Sequence, residues 1–389
     1  MKRSVRLLVG SMAGIGLVVS ILLSSKIVNL VKAQSVGHKF TVQATFNGVA
    51  LNHPTGLFLS PTSSGTLYIA DTGANTILSF GGGTVGTIAG NGTAGYVDGT
   101  PSSAEFKAPT GIGGRGLVMR GDPSNPGQFS EWVQLAVVDS GNNVVRSICI
   151  PGVIDARVPP PCGTPTVTTL AGSGSAGYAN GTGTSASFNH PTLTSNGSST
   201  SSYVVDTLNH VIRAVSTSGT VTTFAGTSVE GFVDGPAASA QFNGPTKITA
   251  DASGNLYVSD TGNFAIRKID SSGNVTTFAG TNQQGCVDRA GTAALFSMPT
   301  AVAYNSADGY VYVVDSLNNC IRRIDSSGVV STYAGTNTAG NVDGSLTAAR
   351  FSSPVDLVIY QTTMYVSDMN NNSIRKIDMS AGRVSTLLH

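Results

Sequence analysis

Between residues 242 and 280 apolar and polar side chains alternate in short runs, each bounded by Gly, Asp, Asn or Ser. Alternation over about four to eight positions marks a half-buried strand, and the polar clusters between such runs mark turns. The pattern predicts a strand over 242–250 that opens on Pro245, a second over 256–260, a third over 265–270 and a fourth over 275–279. The turns at 251–255, 261–263 and 271–274 carry residues that tolerate left-handed dihedrals or bond their own backbone. Four antiparallel strands joined by hairpins make one blade of a β-propeller.

The unit repeats. Asp260-Thr-Gly-Asn-Phe-Ala-Ile-Arg267 recurs with small edits from Asp71, Asp139, Asp206, Asp315 and Asp368. The opening prolines are Pro54, Pro109, Pro191, Pro245, Pro299 and Pro354, and proline is tolerated at a strand's first position. The fold class expected is therefore all-β, a six-bladed propeller over residues 34–389 that closes to remove its exposed edges. The segment 40–45 reads as one more strand, which would clamp the sixth blade's outer edge or displace Val384 to Leu388.

Pro245-Thr-Lys-Ile248, followed by Leu256-Tyr-Val-Ser-Asp-Thr-Gly-Asn-Phe-Ala-Ile-Arg267, resembles the NHL repeat. The resemblance runs over roughly residues 50–388, weakens in the first unit, where Leu78 stands at the arginine position, and is interrupted in the second. It implies a six-bladed propeller serving as a recognition platform for protein or ligand. A minority of related propellers are hydrolases or lyases, and fold likeness does not choose between these.

Composition narrows the setting. Charged residues are 11% of the chain and glycines number 48, which suits short strands and tight turns rather than helices. Residues 1–33 read as an export signal: Lys2, Arg3 and Arg6 precede an apolar run from Leu7 to Leu23, and Val31-Lys-Ala33 offers a cleavage position. Cleavage is the first reading, with a retained membrane anchor as its alternative. Removing that segment deletes five positive charges and no acidic residue, so the net charge falls from +1 to −4. An acidic exported domain without basic clusters is no partner for nucleic acid.

The six repeat aspartates sit one per blade, which spreads them around a ring instead of into one pocket. They are read as turn residues paired with the arginine seven positions on. The linker aspartates Asp98, Asp234, Asp288 and Asp343 are read as caps, each followed by a wedge phenylalanine (Phe106, Phe242, Phe296 and Phe351, with Phe188 in the copy that carries Asn180).

Four cysteines in an exported chain imply two disulfides. Aligned linkers give Tyr96, Tyr178, Phe232, Cys286 and Asn341, facing Val144, Val211, Ala265, Cys320 and Ser373 in the following blade. The single cysteine in each set falls at the same step, so Cys286–Cys320 is expected to staple the repeat. Cys149–Cys162 is then expected to close an insertion in blade two. His53 and His190 precede matching inner-strand prolines and would be metal ligands in a channel-centred hydrolase or lyase, but Met298 stands where a third ligand is needed. No cofactor is implied.

Blade two breaks the pattern. Residues 111–131 and 147–165 lengthen two connections on one face and bring Arg115, Arg120, Phe129 and Trp132 together as candidate binding residues. The functional expectation is an extracytoplasmic, non-enzymatic binding module for a protein or glycan. Its alternatives are the metal enzyme and a structural unit of a surface assembly, with membrane contact only through a retained anchor.

Overall fold

The computed structural model describes residues 8–9, 19–23, 26–29, 49–60, 65–122, 125–151, 164–196 and 201–389, with side chains left aside at 115–133, 150–151 and 193–201. Leu8–Val9, Val19–Leu23 and Lys26–Asn29 pair as a small antiparallel sheet. No helix among the described residues is long and apolar enough to cross a membrane. The expected strand at 40–45 lies outside the described residues.

Six antiparallel sheets follow, each running from an inner strand at the channel to an outer strand at the rim. In blade four the order is Lys247–Ala250, Leu256–Asp260, Ala265–Ile269 and Asn274–Gly280. Sheets three, four and six gain a short fifth strand, because the linker entering each blade first pairs with that blade's own outer strand. Gly181–Thr182, Gly235–Pro236 and Gly344–Ser345 do this, while single bridges Gly99–Val167 and Ala290–Val329 do it in blades two and five. Blade six keeps Arg383–Leu388 as its fourth strand, so no outside segment displaces it. The ring closes between blades six and one through Leu51, Leu57, Ile69, Ile374 and Leu388, with Ser367 Oγ donating to Thr55 O at 2.7 Å.

A buried arginine clamp locks each blade from two to six. Arg267 Nη1 donates to Asp260 Oδ2 at 2.8 Å and to Gln241 O at 2.9 Å, while Nη2 donates to Asp234 Oδ1 at 2.6 Å and to Val233 O at 2.9 Å. Its guanidinium lies between the rings of Phe232 and Phe242, 4.9 and 5.2 Å from their centroids. Arg146, Arg213, Arg322 and Arg375 pair with their own repeat aspartates in the same way, fully buried, with Asn180 in place of the linker aspartate at Arg213 and a single ring, Phe296 or Phe351, against Arg322 and Arg375. Two expectations change in detail. The repeat aspartates are not capped by turn amides: Asp260 Oδ2 takes Asn263 Nδ2, and Oδ1 takes the linker N–H of Asn243. The linker aspartates do not act as caps alone, since Asp98, Asp234, Asp288 and Asp343 each pair with the clamp arginine. The phenylalanines do pack as wedges, fully buried.

Blade one lacks the clamp. Ala74 and Leu78 stand in place of the asparagine and arginine, leaving the buried Asp71 carboxylate one hydrogen bond, from Asn52 N at 2.8 Å. Burial pushes the Asp71 carboxyl up to about 6, as it does the clamped Asp260 and Asp315.

Candidate binding face and channel

Each inner strand starts at the face that carries the Asp turns and ends at the opposite face. That second face also receives both long connections of blade two. The lengthened first connection is not a loop. Pro109–Asp122 and Asn125–Asp139 form one continuous hairpin, roughly twice the length of the corresponding strands elsewhere. Its register sets Trp132 opposite Val118, Ser130 opposite Arg120 and Phe129 opposite Gly121, with Arg115 at the irregularity between Gly114 and Gly116. The ladder of pairs continues from Gly116 to Asp122, so pairing carries on past the blade instead of breaking into a turn.

At the same face the ends of the inner strands enclose a cavity of about 330 Å³. Phe58, Leu59, Val302, Tyr304, Val358 and Ile359 wall it, and Lys247 forms its floor. A second cavity of about 160 Å³ lies toward the other face, ringed by Thr55, Thr110, Thr192, Thr246 and Thr300 with Val355. These are the residues that follow the opening prolines. Two of their hydroxyls stitch neighbouring blades at 2.7 Å, Thr192 Oγ1 donating to Thr246 O and Thr246 Oγ1 to Thr300 O, while the Thr300 hydroxyl is buried without a partner.

Lys247 lines both cavities and separates them. Its ammonium pairs with Asp356, two blades away, and approaches Leu357 O at 3.4 Å. Asp356 also accepts the backbone N–H of Leu57 at 2.8 Å and of Leu357 at 2.7 Å. Burial pushes the Asp356 carboxyl up, and Lys247 opposes that shift. One carboxylate thus ties blades one, four and six together across the channel. Sequence reading missed this pair. Its signal lay in the position two after each proline, where Gly56, Gly111, Leu193 and Ala301 alternate with Lys247 and Asp356.

The other candidates fall elsewhere. His53 and His190 are exposed on the Asp-turn face, in the left-handed region at φ 51° and 47°, and line neither cavity. Their backbone N–H groups donate to Asn372 Oδ1 and Asn143 Oδ1, both at 2.8 Å, so the position serves contact between neighbouring blades. The described residues hold no group of three His, Cys, Asp or Glu able to bind a metal.

Cys286 and Cys320 come together as expected, but as two thiols in contact and not as a bridge. The hydrogen bond with Cys320 brings the Cys286 thiol down to about 7, with Arg322 adding to it and partial burial opposing; Cys320 is pushed up by the same contact. Cys149 is buried in the third strand of blade two, and Cys162 lies outside the described residues.

A sequence profile described as the NHL repeat matches residues 242–269, the first three strands of blade four. Blade four carries an NHL repeat. The Arabidopsis thaliana protein SUPPRESSOR OF QUENCHING 1, chloroplastic, is 33% identical over 143 residues, 34% of this chain and 14% of that protein. NHL repeat-containing protein 2 of Homo sapiens is 29% identical over 160 residues, 38% of this chain and 22% of that protein. The chain therefore matches less than a quarter of either relative's length. Among solved structures, an auxiliary nutrient binding protein from Bacteroides thetaiotaomicron superposes with a TM-score of 0.56 at 16% identity, covering 95% of this chain and 83% of that one. A chain of a nidogen/laminin complex gives 0.50 at 11% identity, over 83% and 93%. At these identities the likeness is one of fold.

Proposed function

We propose that this NHL propeller is an exported, non-enzymatic binding module whose working surface is the face that carries the blade-two hairpin. The observation that carries this reading is the coincidence on one face of a hairpin breaking the repeat and the wider channel mouth. Departures from a regular scaffold are where recognition resides, and a protein or glycan is the partner class that a projecting hairpin with Arg115, Arg120, Phe129 and Trp132 would suit. The fold likeness to a nutrient-binding propeller and to a chain of a protein–protein complex is consistent with a binding role. The N-terminal basic and apolar run supports export, with cleavage at 33 or retention as an anchor.

Arg120 and Ser130 are paired, so replacing residues 121–129 by Asn-Gly leaves a two-residue hairpin and an intact blade. Capture of a partner from the native surface fraction should be lost in that variant while its thermal midpoint stays near that of the parent. Undiminished capture would rule out this placement. Export also predicts disulfides Cys286–Cys320 and Cys149–Cys162 in the oxidised protein. Non-reducing peptide maps of exported material that recovered both Cys286 and Cys320 as free thiols would count against it.

A further inference from the structure

The wider channel mouth has a chemistry of its own. We infer that it is a small-molecule site for an uncharged amide-bearing ligand, a second recognition element on the binding face proposed above. Three observations meet here. The cavity, about 330 Å³, lies at the lower end of the range in which proteins hold small ligands, and it is open at one face. Its side-chain walls are aliphatic and aromatic, from Phe58, Leu59, Ile112, Tyr304, Val358 and Ile359.

The second observation concerns the backbone. Every inner strand is the edge of its sheet, so its unpaired N–H and C=O groups point away from the neighbouring strand and toward the axis. Leu57 N shows this directly, since it reaches Asp356 in the adjoining blade six, and Leu357 N turns to the carboxylate of the preceding residue in its own strand. A ligand entering the mouth meets apolar side chains interleaved with the edge peptide groups of the inner strands, of which Tyr304 N and Leu357 O already have partners. An amide satisfies such groups as donor and acceptor at once, which a hydrocarbon cannot do.

The third observation is charge. Among the described residues Lys247 and Asp356 are the charged groups lining the two cavities, and they neutralise each other. Asp356 is already satisfied by two backbone N–H groups and the ammonium. Lys247 has three donors, of which Asp356 and Leu357 O take two, leaving one for a ligand carbonyl. A ligand ammonium would meet Lys247 at the floor, and a ligand carboxylate would have to share an ammonium that Asp356 already neutralises, in a site with no counter-charge to spare.

The test is calorimetric titration of the purified propeller with N-acetyl-phenylalaninamide, N-acetyl-phenylalanine and phenylalaninamide. The neutral compound is expected to bind at least about tenfold more tightly than either charged one, a difference of about 1.4 kcal/mol. Ala303→Trp and, from another blade, Ala250→Trp each place an indole in the mouth and should abolish binding at an unchanged thermal midpoint. Absence of binding by the neutral compound, tighter binding of a charged one, or full retention in both tryptophan variants that remain folded would each overturn the assignment. The hairpin replacement leaves these residues in place. Lost titration with preserved hairpin-dependent capture would refute this site alone, and the converse would refute the hairpin reading alone.

Discussion

Arg267→Ala is expected to destabilise the propeller by about 3–5 kcal/mol, the range found when one partner of a buried ion pair is removed. The guanidinium is fully buried and serves Asp260, Asp234 and two carbonyls, while filling the space between Phe232 and Phe242. Alanine leaves the Asp260 carboxylate buried beside Asn263 and one linker amide, strands the Gln241 and Val233 carbonyls, and opens a cavity between two rings. Arg267→Lys should recover only part of the loss, because an ammonium cannot reproduce the planar fork or stack on both rings. Chemical denaturation monitored by circular dichroism measures this. A loss below about 1 kcal/mol would show that the clamp is not a main support of the fold.

Lys247→Met should be comparably costly at neutral pH, again about 3–5 kcal/mol. Methionine fills the same space, so the loss comes from leaving Asp356 ionised and buried with only Leu57 N and Leu357 N as donors. The effect has a definite pH signature. Burial already raises the Asp356 carboxyl above its ordinary range, and removing the ammonium raises it further. With the folded value above the unfolded one, the folded chain binds the extra proton. The penalty is therefore full above the folded value and is relieved as pH falls toward the unfolded value near 4. Lys247→Met combined with Asp356→Asn should regain much of the stability and lose that pH dependence. Equal losses for the single variant at pH 8 and pH 4.5 would contradict the assignment of the cost to Asp356.

Most of the scaffold was legible because strand period and turn residues are local signals that the repeat presents six times, and the Asp–Arg spacing five times. The wedge phenylalanines and the meeting of Cys286 with Cys320 followed from aligning copies, since equal positions in successive blades must meet equal neighbours. The linker aspartates were misread because a carboxylate before a turn looks like a cap when its true partner, such as Arg267 for Asp234, lies 33 residues away. The first blade-two insertion was read as a lengthened connection because it interrupts the repeat, whereas 109–122 pairs with 125–139 in one hairpin that has irregularities at its glycines. The Lys247–Asp356 pair escaped for a different reason. It joins blades that are not neighbours, and only closure of the ring brings position two of one inner strand to position two of another.

The way each linker pairs has a consequence for how such a ring changes size. The short edge strand of a blade is supplied by the segment that enters that same blade, and blade six finishes with its own outer strand. One stretch of chain, from linker to outer strand, is therefore a whole sheet with nothing borrowed from the next. Duplicating or excising such a stretch would leave every remaining sheet intact and would alter only the angle each blade must subtend. Copy number can drift in a gene of this layout without rethreading, and what would resist the drift is the cross-channel pair, which fits only one diameter.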